Sequence, residues 1–169
     1  DTKSAQIPSD DEELTTKIWD RMLKHPRTKR LQQFNNIISL SPNWKLTEYL
    51  ENGSFYVHQT GTVAYQEMPA TELTKSIYTM IVYLNDDFTG GETDFLNEKD
   101  EVVRSVKPEI GHAVIFRNDV LHRENRVTIG QKYILRTDIM GKSPSSLSQP
   151  ININKPPSNV KKFVFPTVL

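Results

Sequence analysis

The stretch that decides the fold runs from Ile77 to Ile139 and reads IYTMIVYLNDDFTGGETDFLNEKDEVVRSVKPEIGHAVIFRNDVLHRENRVTIGQKYILRTDI. Short runs rich in β-branched and aromatic residues are separated in it by glycine, proline, asparagine and aspartate, which are typical of turns. Together with two segments upstream, these runs predict strands at residues 44–50, 54–58, 77–84, 93–96, 102–107, 113–116 and 133–139. So many short strands indicate an all-β barrel or sandwich.

The sequence before these strands predicts helices. Ser9 and Glu12 have the spacing of a capping box. Apolar residues then recur at helical spacing, at Leu14, Ile18, Met22 and Leu23. We therefore predict an amphipathic helix over residues 10–25 that ends before Pro26. A weaker helical period follows at Leu31, Phe34, Ile37 and Ile38. The strands should thus carry a layer of N-terminal helices.

The composition narrows the class of protein. The chain has 169 residues, which suits one domain with a single core. Its 21 basic and 21 acidic residues balance, so the charge does not favour a nucleic acid partner. No apolar run approaches the roughly 18 residues of a membrane span, and the polar N-terminal stretch does not resemble a signal peptide. We expect a soluble protein without a membrane partner and favour the cytoplasm.

The lack of cysteine limits the chemistry of any metal site. Without cysteine the chain cannot form a disulfide, a thiolate zinc site or a cysteine nucleophile. A metal must be bound through nitrogen and oxygen, and the chain has 4 histidines to supply the nitrogen.

The C-terminal segment differs in composition from the rest of the chain. Residues 143–157 are rich in serine, asparagine and proline and show little periodicity, which favours an extended tail. Phe163, Val164 and Phe165 are apolar enough to dock back onto the body. We therefore predict one domain over residues 1–142 and a tail over residues 143–169.

Several motifs follow one another in a specific order: Tyr49, Gly53, Phe55, His58, Tyr83-Leu84-Asn85, Gly90-Gly91-Glu92-Thr93, Pro108, Gly111, Phe116, His122 and Lys132. This order resembles the prolyl 4-hydroxylase-like branch of the 2-oxoglutarate- and iron-dependent oxygenases. In that family, a strand ending in Tyr-Leu-Asn leads to Gly-Gly-Glu-Thr. A Pro…Gly…Phe segment then precedes an iron-binding histidine, with a basic residue further on. The resemblance covers residues 40–140.

The resemblance implies a fold and a set of cofactors. The expected fold is mainly β, a double-stranded β-helix (jelly roll) with the N-terminal helices packed on it. Such enzymes bind ferrous iron with two imidazoles and one carboxylate on one face of an octahedron. His58 and His122 match the two histidine ligands. 2-Oxoglutarate and dioxygen are the expected co-substrates, and ascorbate is a further candidate cofactor.

The resemblance also implies which residues hold 2-oxoglutarate. Its far carboxylate requires a fixed cation, and the family places this cation where Lys132 stands, ten residues beyond His122. Arg136 is the second candidate because it shares the same face of the predicted strand. Tyr83 and Tyr49 match positions where the family often has a phenol that hydrogen-bonds the co-substrate. Lys132 and the two histidines are therefore the expected catalytic groups.

One position departs from the family pattern. The family motif is His-x-Asp, whereas this chain has His58-Gln59-Thr60. Thr60 thus stands at the third metal position, where a neutral hydroxyl does not offset the ferrous charge as a carboxylate does. We expect iron binding to weaken by more than the roughly 10–100-fold typical of losses in the outer coordination shell.

Three interpretations are open at this point. In the first, the chain is an oxygenase that hydroxylates a protein side chain or a small molecule, with iron held by the histidines and water or by another carboxylate such as Glu67. In the second, it is a pseudoenzyme that uses the same groove to bind a partner. In the third, it resembles the 2-oxoglutarate halogenases, which lack this carboxylate, although Thr60 is larger than the residues usual there. We favour the first.

Overall fold

The computed structural model describes residues 2–6, 11–26, 28, 37–58, 64–65, 74–142 and 161–164. For residues 2–6, 55–58, 64–65, 142 and 161–164 this description covers the backbone. The elements along the chain are β1 (Thr2–Gln6), α1 (Glu12–Lys24), β2 (Ile37–Leu40), β3 (Lys45–Tyr49), β4 (Phe55–His58), β5 (Ala64–Tyr65), β6 (Thr74–Tyr83), β7 (Thr89–Gly90), β8 (Thr93–Leu96), β9 (Val102–Val106), β10 (His112–Arg117), β11 (His122–Glu124), β12 (Val127–Ile129), β13 (Lys132–Lys142) and β14 (Lys161–Val164).

In the part of the chain that is described, the strands form three antiparallel sheets. The main sheet has eight strands in the order β1-β3-β13-β6-β10-β14, with β2 also paired to β13 and β5 to β6. The minor sheet has four strands in the order β4-β11-β8-β9, and β12 pairs with β7. The fold is therefore mainly β with a helical layer, as the sequence predicted.

The core inside the fold lies between the main and the minor sheet. Its buried residues come from both sheets and the adjoining strands: Tyr49, Ile81, Tyr83, Phe95, Val106, Val114, Phe116, Val127 and Ile134. Successive side chains of a strand point to opposite faces, so alternate residues of β6, β10 and β13 contribute to this core. The same inward faces carry the candidate site residues described below.

A second core covers the outer face of the main sheet. Met22 of α1 is buried there, and Leu14, Ile18 and Trp19 of the same helix pack against it. The indole N–H of Trp44, which directly precedes β3, donates to the hydroxyl of Thr15 in α1 at 2.9 Å. This hydrogen bond links the helix to the main sheet. The helix therefore buttresses the sheet whose other face lines the site.

The helix begins two residues later than the capping box suggested, at Glu12. Asp11 is the N-cap, and its carboxylate accepts a hydrogen bond from the Leu14 N–H at 3.0 Å. The prediction that Ser9 starts the helix was wrong, because Asp11 supplies the acceptor that the first turn needs. His25 is the C-cap, so the helix ends before Pro26 as predicted.

The prediction of a second helix is wrong at Ile37 and Ile38, which lie in a strand. Ile37 and Ile38 lie in β2, which pairs with β13 through Ile139 opposite Leu40 and Gly141 opposite Ile37. Hydrogen bonds to a strand some hundred residues away in the sequence outweigh a weak local helical preference. Leu31 and Phe34 lie outside the described residues.

The C-terminal segment, which the sequence suggested could dock back onto the body, contributes β14. β14 pairs antiparallel with β10, with Ala113 opposite Phe163, so this part of the C-terminal segment joins the main sheet. Among the described residues, no helix has the length and apolar character needed to cross a membrane.

Candidate active site

The two candidate histidine ligands lie on neighbouring strands of the minor sheet. β11 runs between β4 and β8, and His122 is directly opposite His58 in the antiparallel ladder. Residues directly opposite one another are nearest neighbours across a sheet. The structure therefore brings together two residues that are 64 positions apart in the sequence.

His122 is buried and oriented. Its side chain is packed against the ring of Phe116, with the ring centroids 4.6 Å apart, and it lies 6.4 Å from that of Phe95. Its Nδ1 lies 3.0 Å from the Val120 carbonyl oxygen. A carbonyl can only accept, so Nδ1 carries the proton of that bond, and in a neutral imidazole this leaves the lone pair on Nε2. Metal-binding histidines are commonly held in this way.

Thr60, at the third metal position, and Glu67, the alternative carboxylate, lie outside the described residues. Within the residues that are described, no group of three or more His, Cys, Asp or Glu side chains is placed to hold a metal. Of the two candidate histidines, the structure describes the side chain of His122 and the backbone position of His58 opposite it.

Lys132, the predicted cation, is almost completely buried, with 1% of its surface exposed. Its ammonium donates to the Gly91 carbonyl oxygen at 2.6 Å and to the Glu124 carboxylate. It lies 5.3 Å from the ring centroid of Tyr49 and 5.5 Å from that of Tyr83. The structure therefore gathers Lys132 and both predicted phenols in one cluster, and cation–π attraction contributes to holding it.

Glu124 is the central residue of this cluster, and the sequence analysis missed it. Its side chain is 3% exposed and pairs with Lys132. Thr93 Oγ1 lies 3.0 and 2.9 Å from the two carboxylate oxygens and 2.8 Å from the Tyr83 hydroxyl. Because Thr93 has one proton and gives it to the carboxylate, Tyr83 donates to Thr93. The Glu124 carboxylate is therefore the final acceptor, both for the Tyr83–Thr93 pair of hydroxyls and for the Lys132 ammonium.

A signal for Glu124 was present in the sequence. β11 contains three residues, His122, Arg123 and Glu124, so the first and third face the same way. They lie opposite Phe95 and Thr93 of β8, respectively. Once His122 is placed inside the fold, the period of two puts Glu124 there as well.

The two phenols of the cluster remain protonated. Burial raises the pKa of Tyr83 and of Tyr49, and the nearby Glu124 charge raises both further. Both phenols are therefore hydrogen-bond donors across the ordinary pH range, which is the form that orients an anionic ligand.

Gly91 allows the backbone to approach Lys132. Its φ of +70° lies in the region that favours glycine. A Cβ there would lie 3.0 Å from the Phe88 ring and 3.2 Å from Cδ of Lys132. The Gly-Gly turn thus brings a carbonyl oxygen onto the buried ammonium.

Arg136, the second candidate cation, lies at the margin of the cluster, where its charge acts on Tyr49 and opposes the rise of that phenol's pKa. It lies four residues along β13 from Lys132, which is roughly 13 Å in an extended strand. Its side chain is 30% exposed and its guanidinium lies 3.9 Å from the Asp138 carboxylate. Burial raises the pKa of Asp138.

The outward face of the same strands carries a different ion pair. The guanidinium of Arg123 donates to the Asp94 carboxylate at 3.0 Å, and the Arg123 side chain is 37% exposed. Burial raises the pKa of Asp94, but hydrogen bonds from Ser105, Asn125 and Arg123 outweigh it and lower the pKa below its usual value.

Comparison with known proteins identifies the family. Residues 27–137 match the family model described as the 2OG-Fe(II) oxygenase superfamily, which is more than half of the chain. Among curated protein sequences, none matches significantly.

Several solved structures have the same fold. The viral collagen prolyl hydroxylase of Paramecium bursaria Chlorella virus-1, in complex with 2-oxoglutarate, is 20% identical with a TM-score of 0.59, covering 83% of this chain and 79% of that one. A Pseudomonas putida prolyl-4-hydroxylase is 12% identical with a TM-score of 0.56, covering 85% and 73%. A Trichoplax adhaerens prolyl hydroxylase, in complex with a hypoxia inducible factor peptide fragment, is 13% identical with a TM-score of 0.56, covering 83% and 63%.

The likeness confirms the predicted jelly roll, and the family match confirms the predicted resemblance. The chain belongs to the 2-oxoglutarate- and iron(II)-dependent oxygenase superfamily.

Proposed function

We propose that the chain is an iron-dependent oxygenase that uses a 2-oxo acid and dioxygen to hydroxylate a carbon atom of a protein side chain. The observation that carries this proposal is the position of His122, which is buried, held by a carbonyl and directly opposite His58. Glu124, two positions further along the same strand, pairs with the buried Lys132. A buried histidine held by a carbonyl, next to a buried cation with phenol donors, suits a site for a metal and an anionic co-substrate.

The described donors fit ferrous iron in part. His122 and His58 would supply two imidazole nitrogens, and imidazole is a ligand that iron accepts readily. Thr60 stands where the family has an aspartate, so the third position would be filled by that hydroxyl, by water or by another carboxylate such as Glu67. We expect weaker iron binding than in relatives with the full set of ligands.

Iron, when bound, supplies the activation of dioxygen that couples decarboxylation of a 2-oxo acid to hydroxylation of a C–H bond. The balance is one 2-oxo acid, one dioxygen and one C–H bond converted to carbon dioxide, an acid one carbon shorter and an alcohol. The chain's own residues orient the ligands. Tyr49 and Tyr83 contribute ring faces and donors around Lys132, while Phe95 and Phe116 pack beside His122 and exclude water.

The proposed substrate is a peptide or protein, and a prolyl side chain is the nearest analogy. This part rests on the similar structures, which are prolyl hydroxylases, one of them in complex with a peptide fragment. A small-molecule substrate is the alternative that the same experiment tests. Fold alone does not fix the substrate.

The site's fit to 2-oxoglutarate itself is incomplete. Lys132 was predicted to receive its far carboxylate, yet this ammonium already pairs with a buried carboxylate of the chain, Glu124.

The experiment is a manganese(II) titration of the wild type, of His122→Ala and of His112→Ala, followed by an assay with ferrous iron, ascorbate, dioxygen and a set of 2-oxo acids. His112 is the matched control because it lies on β10 and pairs with Glu109. We expect metal binding that His122→Ala abolishes and His112→Ala preserves, with release of the shortened acid.

A Thr60→Asp variant extends the same titration. We expect it to bind the metal more tightly, because it restores an anionic ligand. Metal binding by neither the wild type nor Thr60→Asp would overturn the proposal. Hydroxylation of proline-containing peptides, detected as a mass increase of one oxygen atom, would support the substrate class, and turnover of small molecules alone would overturn that part.

A further inference from the structure

Glu124 has no role in the chemistry proposed above, although it is a buried carboxylate beside the candidate metal ligand. It accepts from Lys132 and from Thr93, and Thr93 in turn accepts from Tyr83. These are the groups that a fixed carboxylate requires: a cation and a line of hydroxyl donors. The cluster is thus a complete carboxylate-binding subsite that one of the chain's own side chains already occupies.

We propose that Glu124 is a built-in carboxylate that determines co-substrate specificity, so that the chain prefers 2-oxo acids with an uncharged tail to the dicarboxylic 2-oxoglutarate. This inference rests on the proposed function, because it concerns the co-substrate of the same site. A 2-oxo monocarboxylic acid such as pyruvate or 2-oxobutyrate lacks the second carboxylate that Glu124 already provides.

The charges of the cluster support this preference. Lys132 and Glu124 are 1% and 3% exposed and neutralise each other. The neighbouring phenols of Tyr49 and Tyr83 are uncharged, because their pKa values are raised by burial. A second carboxylate would leave this buried cluster with a net negative charge, and a buried unpaired charge is strongly unfavourable.

Displacement of Glu124 by the co-substrate is opposed by the same contacts. β11 lies between β4 and β8, with Thr93 directly opposite Glu124. If Glu124 left Lys132, its carboxylate would lose both the ammonium and the Thr93 hydroxyl. Breaking a buried pair in this way corresponds to a loss of at least about 100-fold in affinity for 2-oxoglutarate.

Arg136 does not offer a second subsite of this kind. It shares the inward parity of Lys132 but lies four residues further along β13, is partly exposed and has Asp138 beside it. The Arg136 charge acts on Tyr49 at the margin of the cluster, whereas the buried ammonium itself is held by Glu124, so we assign the discrimination between charged and uncharged tails to position 124.

The first experiment needs no metal and asks whether the subsite binds a free carboxylate. Glu124→Ala leaves Lys132 buried without its anion and makes room for one. We expect millimolar acetate to raise the melting temperature of this variant by roughly 2–4 °C, the shift expected when a ligand exceeds its dissociation constant several-fold. We expect no comparable shift in the wild type.

Asp94→Ala is the matched control. Asp94 is also a buried carboxylate of the minor sheet with a basic partner, but it lies on the outward face, where Arg123 is partly exposed to water. Acetate should not stabilise Asp94→Ala more than the wild type. Equal acetate effects on Glu124→Ala and Asp94→Ala would overturn the assignment of a carboxylate subsite.

The second experiment compares co-substrates and serves even if Glu124→Ala does not fold. Dissociation constants for 2-oxoglutarate and 2-oxobutyrate are measured with manganese-loaded wild type and Glu124→Gln, which keeps the size of the side chain and removes its charge. We expect the wild type to prefer 2-oxobutyrate and the preference to shift toward 2-oxoglutarate by about 100-fold in Glu124→Gln.

The outcomes separate the two proposals. The role of Glu124 would be overturned if the wild type bound 2-oxoglutarate tightly and the ratio of the dissociation constants for 2-oxoglutarate and 2-oxobutyrate were unchanged in Glu124→Gln. The proposed oxygenase function would still stand. Failure of every variant to bind metal would overturn the function, while the acetate experiment would still decide whether the cluster is a carboxylate subsite.

Discussion

The two faces of the minor sheet each carry an acid–base pair, and the pairs differ in their surroundings. Inside, Glu124 and Lys132 are 3% and 1% exposed, whereas outside, Asp94 and Arg123 are 6% and 37% exposed. Water screens the outer charges and is nearly excluded from the inner ones. Removing one partner of the inner pair would therefore leave an unpaired charge in the core, which is costly. Removing one partner of the outer pair should change the stability only slightly.

The largest expected effect comes from breaking the inner pair. Lys132→Ala leaves the Glu124 carboxylate buried with Thr93 as its remaining described donor, which should lower the free energy of unfolding by about 3–5 kcal/mol. Urea denaturation of Lys132→Ala and Arg123→Ala provides the measurement. Equal losses for the two variants would contradict the comparison.

Gly91→Ala should have the next largest effect. The positive φ of Gly91 and its close approach to Phe88 and Lys132 predict a loss of about 1–3 kcal/mol on denaturation. Gly130→Ala is the control, since Gly130 has a φ of +85° but its Cβ would meet Asp87 and Phe88. Both variants should lose stability. A change in the ratio of 2-oxoglutarate to 2-oxobutyrate affinity should be confined to Gly91→Ala.

Removing both inner charges should have a smaller effect than removing one. The double variant Glu124→Leu with Lys132→Met replaces the pair by apolar side chains of similar size and leaves one hydroxyl and one carbonyl with fewer partners. We expect a free energy of unfolding within about 2 kcal/mol of the wild type. A loss as large as that of Lys132→Ala alone would show that packing around position 132, and not the unpaired charge, dominates.

The smallest expected effect is that of the outer pair, and it depends on pH. Arg123→Ala should cost about 0.2–1 kcal/mol at neutral pH, and less in high salt. Because the pKa of Asp94 in the folded chain lies below its usual value, the stabilisation is present above that value and is lost as the pH falls through the lowered pKa. Denaturation of wild type and variant between neutral and acidic pH should therefore converge. A difference that grew on acidification would contradict the assignment.

The sequence predicted the longer strands, because alternation and turn residues are local patterns. Alternation and turn residues predicted β3, β6, β8, β9, β10 and β13. Lys132 was chosen from the family resemblance, and the structure places its ammonium beside Glu124, Tyr49 and Tyr83. The helical expectation for Ile37 and Ile38 failed because their partner strand, β13, is distant in the sequence. Strands as short as β7 and β12 contain too few residues to show a period.

Glu124 shows what local patterns can and cannot provide. A glutamate between two polar residues is usually solvated; the period of two from His122 indicates that it faces inward, but not that it pairs with Lys132 and Thr93. The partner relation joins three strands, so it becomes visible only when they are assembled.

The three residues of β11 have a consequence for how this protein can change. His122 and Glu124 face inward because one residue, Arg123, separates them. Inserting or deleting a residue between them would turn one of the two side chains outward. Substitution of Arg123 therefore keeps the inward alternation of His122 and Glu124, whereas a change in the length of this strand does not.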